Sequence, residues 1–382
     1  MRFLHTADWH LGRLFHQNHL TEDQAVVLRQ VIDIARDQQV DAVVVAGDVY
    51  DRGVPPPDAV RLLDDVLAEL LLGVKAPVIV AAGNHDSPER LAFASRLLAQ
   101  QGLHLFGLPS ATSDPVVLAD DYGDVTFYVA PYAEPALVRE QLGDERVVDH
   151  ESGMRALLAS MIGRRPRRGR SVFVGHAFVQ GAVGSDSERP LSVGGAGSVG
   201  ASCFDGFHYV ALGHLHRPQD VSVSGASRYA GAILKYSFDE VGQHRSVTVV
   251  DMDGHGAVRT EEIVLTPRRE MRRIEGTLED LLTTAAAPFD DYIVARLLDR
   301  VPVLDPIGRL RGVYPNVLCI ERPDLAAGPE GQRRGDRRQI DHGRLFADFF
   351  KEMTGDAPSS DEQALFESIA TAVSEREREV RA

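Results

Sequence analysis

The sequence predicts an α/β protein whose strands end in polar, ligand-bearing turns, with a smaller α/β module appended. Three observations predict it. Apolar strand-like runs alternate with amphipathic helical patterns over roughly the first 100 residues. Shorter strands separated by turns follow, from Leu103 to Leu265. An arginine-rich stretch, Pro267 to Arg273, then opens a second, shorter alternation of helix and strand.

The elements follow in order. Residues 2–8 read as a strand ending Thr6-Ala7-Asp8-Trp9-His10, and a helix starts near Thr21, where Thr21 and Gln24 have capping-box spacing. Val27, Leu28, Val31, Ile34 and Ala35 recur on it at helical period. Asp41–Ala46 is a second strand ending Gly47-Asp48-Val49-Tyr50-Asp51, and a helix from Asp58 to Leu72 follows three prolines. Val78–Ala82 is a buried strand that turns at Gly83-Asn84-His85-Asp86 into a helix over Glu89–Gln100, with Ser87-Pro88 as its start. A hairpin is expected around Asp120–Asp124, and helices near Pro135–Leu142 and Glu151–Ile162. Ser171–Val174 ends in Gly175-His176, and Tyr209–Leu212 ends in Gly213-His214-Leu215-His216. Between them lies a Gly/Ser-rich loop, Gly181–Ser202. Strands at Ser227–Ala230, Ser246–Asp251 and Thr260–Leu265 are expected to complete a second, largely antiparallel set.

Three units are expected: residues 1–266 with the polar strand ends, 267–338 as a small module with a Gly/Arg-rich linker, and 339–382 as a helical segment. On the tail, Phe346, Phe349 and Phe350 face one way, as do Leu365, Phe366, Ile369 and Val373 further on. Such a pair reads as a docking piece, or as a hairpin packed on its own protein.

Composition narrows the classes. The net charge is −15, with the acidic excess in the first 265 residues, which argues against passive binding of a polyanion. Only three residues are lysine, so positive charge is almost all arginine and arginine clusters carry little weight. The run Arg164, Arg165, Arg167, Arg168 and Arg170 therefore reads as a solvated loop, and so do Arg333, Arg334, Arg337 and Arg338. Two cysteines make no disulfide framework, and no apolar run reaches spanning length or forms a leader. A cytoplasmic protein is expected.

Five apolar runs end in potential metal ligands: Asp8 and His10; Asp48; Asn84; His176; His214 and His216. In four of them a glycine (Gly47, Gly83, Gly175, Gly213) precedes the first ligand and lets the chain leave the strand tightly. Open α/β sheets place ligands at such strand ends. Mixed carboxylate, amide and imidazole donors suit manganese, iron or zinc better than calcium. Seven donors exceed what one ion needs, and two ions roughly 3.5–4 Å apart would activate water and stabilise a phosphoryl displacement. Asp48 is the candidate bridge. His85 is free to act as general acid toward the leaving oxygen. Asp51 is placed to orient the His85 ring, and Asp86 is expected to be structural.

Asp-x-His, Gly-Asp-x-x-Asp, Gly-Asn-His-Asp, Gly-His and Gly-His-x-His, in this order, resemble the calcineurin-type metallophosphoesterase superfamily. The wording His5-Thr6-Ala7-Asp8-Trp9-His10-Leu11-Gly12, Ala46 to Arg52 and Ala211 to Pro218 resembles the SbcD family of DNA-repair nucleases more narrowly. That resemblance implies a two-sheet sandwich flanked by helices in four layers, then a capping domain and a partner-binding tail. It implies one metal held by Asp8, His10, Asp48 and His216, and another held by Asp48, Asn84, His176 and His214. Manganese is the implied metal, and DNA ends and hairpins are the implied substrate, in repair and recombination. The implied partner is the coiled-coil ATPase SbcC in a two-plus-two assembly, with homodimer contacts on the helices near 58–72 and 89–100. Two other readings stand beside it: a small-molecule phosphodiesterase or phosphatase with the same site, and a scaffold that has lost chemistry.

Overall fold

The computed structural model describes residues 1–110, 114–164, 169–188, 197–221 and 226–323, together with 346–347, 350, 358–363 and 365–366. The chain divides into two compact units, Met1–Arg296 with Leu304–Glu321, and Leu297–Val303 with Arg322–Ala382.

The first unit runs β1 (Arg2–Thr6), α1 (Thr21–Asp37), β2 (Ala42–Ala46), α2 (Pro57–Ala68), β3 (Val78–Ala81), α3 (Pro88–Leu91), α4 (Ser95–Leu98) and β4 (Leu103–Phe106). It continues with β5 (Val116–Asp120), β6 (Gly123–Ala130), α5 (Pro135–Leu142), α6 (His150–Arg164), β7 (Arg170–His176), β8 (Tyr209–Gly213), β9 (Gln219–Asp220) and β10 (Ala226–Tyr229). Strands β11 (Arg245–Met252) and β12 (Val258–Leu265) follow. Then come β13 (Met271–Gly276), α7 (Leu278–Thr283), β14 (Tyr292–Leu297), α8 (Pro306–Arg311) and β15 (Val317–Glu321), which form a three-stranded sheet with two short helices.

Two six-stranded sheets face each other, ordered β12-β11-β1-β2-β3-β4 and β9-β10-β8-β7-β6-β5. The strand alternation explains the layering. On β2, Val43 and Val45 face α1 and α2, while Val44 and Ala46 face the second sheet. On β3, Val78 and Val80 against Ile79 and Ala81 repeat the pattern. A third cluster joins the outer face of the second sheet to α5 and α6 through Val138, Leu157, Leu158, Phe173 and Val210. The result is the four-layer helix–sheet–sheet–helix sandwich.

The inter-sheet core is graded in size. Phe3, Phe127 and Tyr209 pack edge to face, with ring centres 5.5 and 5.6 Å apart. Toward the carboxyl ends the same layer holds Ala46, Ala81, Ala211 and Gly213. The sheets therefore close on one another where the strands end. A Cβ on Gly213 would lie 1.8 Å from the Ala46 carbonyl oxygen.

Two expectations about the strands are corrected. The second sheet is mostly parallel: β10, β8, β7 and β6 run the same way, and only its two edge pairings are antiparallel. Strands β11 and β12 do not join it. They return to the first sheet, where β11 pairs antiparallel with β1 in the register Phe3↔Val250. The helix expected over 89–100 is broken at Ala94, whose φ of 57° is left-handed, into one turn over Pro88–Leu91 and a second over Ser95–Leu98 that runs on as a 3-10 turn to Gln101. The capping box at Thr21 is also absent. Thr21 donates to the Asp58 carboxylate at 2.9 Å, and Gln24 is buried.

Of the tail, Phe346 stacks on Phe366 with ring centres 4.3 Å apart, so its two apolar stretches meet. Phe349, Ile369, Val373, the linker and the arginines from Arg333 to Arg338 lie outside the described residues. So do Arg165, Arg167 and Arg168. Arg170 is not solvated: it is buried, with Nη1 2.7 Å and Nη2 2.5 Å from the Asp120 carboxylate. No helix among the described residues is long and apolar enough to cross a membrane.

Candidate metal centre

All seven strand-end donors meet at the edge where the sheets close. His10 Nε2 lies 3.0 Å from His216 Nε2 and 3.6 Å from Asp48 Oδ2. His176 Nε2 lies 2.9 Å from Asn84 Oδ1 and 3.5 Å from Asp48 Oδ2, and Asn84 Oδ1 is 3.3 Å from His214 Nδ1. The Asp8 carboxylate accepts the backbone N–H of His214 at 2.9 Å and stands 3.8 Å from His176 Nδ1. Asp48 thus faces both histidine groups. Asp8, His10 and His216, and Asp8, Asp48 and His176, each bring three ligand atoms within 4.8 Å of one another.

The backbone is bent to achieve this. Asp8, His10, Asp48 and His214 have φ of 53°, 46°, 49° and 102°. Left-handed non-glycine residues are sparse and cluster at functional sites. Neighbouring loops brace them: His10 N–H donates to the Asp48 carbonyl at 2.9 Å and Asp8 N–H to that of Gly47 at 3.0 Å.

The glycines act mainly by leaving space. Only Gly47 among the four has a positive φ, 97°. A Cβ on Gly83 would sit 2.1 Å from Asp48 Oδ1 and 2.3 Å from its backbone nitrogen. Gly83→Ala is therefore expected to cost about 1–3 kcal/mol and to weaken metal binding together. Gly163, where a Cβ meets nothing within 4 Å, is the control. Gly163→Ala on helix α6 is expected to stabilise by about 0.5–1 kcal/mol. Denaturant unfolding and metal titration of both variants check this pair.

Hydrogen bonds set the ring tautomers. His176 Nδ1 and His85 Nδ1 each face a backbone carbonyl, that of Ala46 at 3.0 Å and that of Asp51 at 2.8 Å. A carbonyl only accepts, so both Nδ1 atoms carry hydrogen, and in His176, which burial keeps neutral, Nε2 is bare. His176 Nε2 and Asn84 Oδ1 are then two acceptors 2.9 Å apart. His10 Nδ1 is buried with no hydrogen-bond partner. Converging lone pairs, two buried carboxylates and neutral imidazoles are a donor set that a pair of transition-metal cations fits.

The electrostatics agree. Burial, then repulsion from His216, His85 and the Arg13 guanidinium, holds the imidazolium of His10 well below its ordinary range. Burial and the neighbouring histidines do the same for His214, and burial outweighs the pull of Asp48 for His176. Burial and then Asp48 push the Asp8 carboxyl well above its ordinary range. The metal-free protein is accordingly expected to be most stable near pH 6.5. Below that value the unfolded chain takes up protons that folded His10, His176 and His214 refuse, so stability falls with pH. Above it those histidines are neutral in both states, while Asp8 and Asp86 (pushed up to about 7 by burial and Asp48) lose protons more readily when unfolded, so stability again falls. Thermal melts of chelated protein between pH 5 and 8 check the maximum.

Two expected roles gain detail. Asp51 holds His85 through its backbone carbonyl. The carboxylate bonds Arg13 at 2.9 Å and stands 3.6 Å from His10 Nδ1, beyond hydrogen-bond length. Asp86 is structural, as expected, and it serves two loops. It accepts the N–H groups of Val49, Tyr50 and Gly83 at 3.1, 2.8 and 2.9 Å. This clamps the turn after β2 to the turn after β3.

Several supporting residues escaped the sequence reading. Gln24 donates to the carbonyls of Trp9 and His10 at 3.1 and 2.7 Å and accepts from Gly12 N–H, fixing the first loop. Arg13 lies across the Tyr236 ring, 4.9 Å from its centre. Its place three residues after His10 was the one available signal. Burial alone would raise the Glu240 carboxyl, but the His216 ring 3.5 Å away, the charge of Arg245 and the bond from Ser187 outweigh it and hold the group below its ordinary range.

Residues 1–218 match the family model described as calcineurin-like phosphoesterase, which fixes the class. Residues 267–354 match the model described as the type 5 capsule protein repressor C-terminal domain, SbcD_C. A protein from Staphylococcus saprophyticus, named as the D component of nuclease SbcCD, is 32% identical over 378 residues, covering 98% of this chain and 99% of its own. Its namesake from Staphylococcus epidermidis is 31% identical over 93% of this chain and 94% of its own. A dimetal phosphatase structure from Danio rerio aligns with a TM-score of 0.41 at 15% identity, over 70% of this chain and 99% of its own. The chain belongs to the SbcD family of calcineurin-like, metal-dependent nucleases.

Proposed function

We propose that this chain is the nuclease component of a cytoplasmic DNA-processing complex, hydrolysing phosphodiester bonds at duplex ends and hairpins with two manganese ions. The observation that carries this reading is the convergence of seven donors on one edge with His85 beside them. Asp8, His10, Asp48 and His216 would hold one ion, and Asp48, Asn84, His176 and His214 the other. When bound, the ions supply Lewis-acid charge for the phosphoryl oxygens and lower the pKa of attacking water.

The remaining work falls to the chain. With Nδ1–H tied to the Asp51 carbonyl, His85 presents Nε2 to the centre, 3.9 Å from Asp48 Oδ2. Protonated there, it gives that proton to the departing alkoxide. Neutral Asn84 in place of a third carboxylate limits negative charge facing a phosphate. Arg13, held by Asp51 and by the Tyr236 face, adds positive charge beside His10.

The relatives' name, which makes each of them one component of SbcCD, supports a partner ATPase of the SbcC kind. Exposed Val60, Leu72, Phe93 and Leu97, on and beside α2, α3 and α4, support homodimer contacts there. The domain reading remains 1–266 for the nuclease, 267–338 for the cap with its linker and 339–382 for partner docking. Incubating the full chain with manganese and end-labelled duplex or hairpin DNA, with and without the ATPase, tests the function. Cleavage in the presence of metal is expected. Rapid turnover of small phosphodiesters with no cleavage of DNA in any combination would overturn it.

A further inference from the structure

We infer that Glu240 and Ser187 form a positioning relay that fixes His216 in the tautomer whose bare Nε2 faces the metal centre. The inference rests on the two-metal reading and assigns work to two residues outside the strand-end motifs.

Glu240 is fully buried at the end of a short helical turn, Phe238–Glu240. Its Oε1 accepts from Ser187 Oγ at 2.6 Å and from Ser185 Oγ at 3.0 Å. Its Oε2 accepts the Tyr236 N–H at 2.6 Å and pairs with Arg245 Nη2 at 2.6 Å. A carboxylate in that setting is ionised and only accepts. The single hydroxyl hydrogen of Ser187 therefore points to Glu240. Its oxygen meets His216 Nδ1 at 2.5 Å with lone pairs, so Nδ1 carries the ring hydrogen. Nε2 is left bare, 3.0 Å from His10 Nε2.

The other tautomers show why a relay is present here. His85 and His176 donate Nδ1–H to backbone carbonyls, which have one polarity and need no help. A hydroxyl can point either way. Without a pure acceptor behind it, Ser187 could donate to Nδ1 and move the hydrogen to Nε2, blocking the ligand atom. Glu240 removes that choice. The backbone of His216 is held by the same pieces: its N–H donates to Glu188 Oε1 at 2.8 Å, and its carbonyl accepts from Arg245. Glu240 and Ser187 touch neither substrate nor reacting atoms, so they are positioning residues.

The test uses full-length protein, ¹⁵N-labelled at histidine and stripped of metal, with His216 assigned by its loss in His216→Gln. Wild type is expected to show His216 as Nδ1–H. Glu240→Gln can donate its amide to Ser187 and reverse the hydroxyl, so Nε2–H is expected to appear. In Mn²⁺ titrations that variant and Ser187→Ala are expected to weaken one of two sites by about 10–100-fold, with Ser187→Thr restoring it. Should Glu240→Gln not fold, the wild-type tautomer and the Ser187 pair decide, since Ser187 lies on a loop. Nε2–H in wild type, or wild-type metal affinity in both Glu240→Gln and Ser187→Ala, overturns the relay. These readouts use no DNA. Failure of the nuclease assay leaves them intact, and loss of the relay leaves the nuclease reading standing.

Discussion

Replacing His85 with alanine is expected to leave both metals bound and to lower strand cleavage by about 10²–10⁴-fold. The expectation follows from hydrogen bonding. His85 spends Nδ1–H on the Asp51 carbonyl at 2.8 Å and packs edge to face on His10, with ring centres 4.6 Å apart. Its Nε2 is 3.9 Å from Asp48 Oδ2, farther than His10 and His176, which approach that oxygen to 3.6 and 3.5 Å. The seven donors are complete without it. The variant leaves the Asp51 carbonyl without this donor, at a cost of about 1–3 kcal/mol. Metal content by elemental analysis, with kcat against pH, separates the roles. The fall in kcat on the alkaline side, where a general acid loses its proton, should vanish while stoichiometry stays at two. His10, Asp51 and His85 also bring three ligand atoms within 4.8 Å. If metal content fell in step with activity, that grouping would be a binding site and His85 a ligand.

Much of the centre was legible because its chemistry demands particular residue types where strands stop. Asp48 after Gly47, Asn84 after Gly83 and His214 after Gly213 mark apolar runs that end in donors, and the structure gathers them at one edge. The continuous apolar run Val78 to Ala82 was equally readable as a buried strand, and its alternate residues face the two core clusters. Sheet assignment was not. Strand β11 looks like any apolar run, and pairing with β1 across some 240 residues leaves no local trace. Its burial is settled by which sheet it reaches, a tertiary outcome. The parallel order of the second sheet was hidden for the same reason.

What sequence reasoning missed around the metals shares one property. Gln24, Ser187 and Glu240 are single polar residues whose partners lie on other segments, so spacing carries no signal. Gln24 even matched a local rule, the capping box with Thr21, and tertiary contacts took both side chains elsewhere. Asp51 was found by position, and the structure adds the atom, its backbone carbonyl, because spacing does not distinguish a carboxylate from the carbonyl beside it. The left-handed turns at Asp8, His10 and Asp48 are likewise a cost that only the assembled loops reveal.

Asp48→Asn tests the centre hardest, because it should move two measured quantities in opposite directions. Asparagine tolerates the left-handed φ of 49° at this position and keeps an oxygen to accept the His85 N–H, now bonded at 2.8 Å. The loop geometry should survive, and what is removed is charge. That carboxylate faces His10 and His176 together, so on the two-metal reading both sites would lose an anionic ligand. Metal content is expected to fall below one per chain, and cleavage by at least about 10³-fold, the equivalent of several kcal/mol of transition-state charge stabilisation. The same charge also repels Asp8 and Asp86 in the metal-free protein, where it helps to push both carboxyls up. Removing it relieves a buried like-charge cluster. The chelated variant should therefore melt roughly 2 °C or more above chelated wild type at pH 7. A structural role for Asp48 would lower the melting temperature and the metal content together. A bridging role separates them, with metal lost and metal-free stability gained.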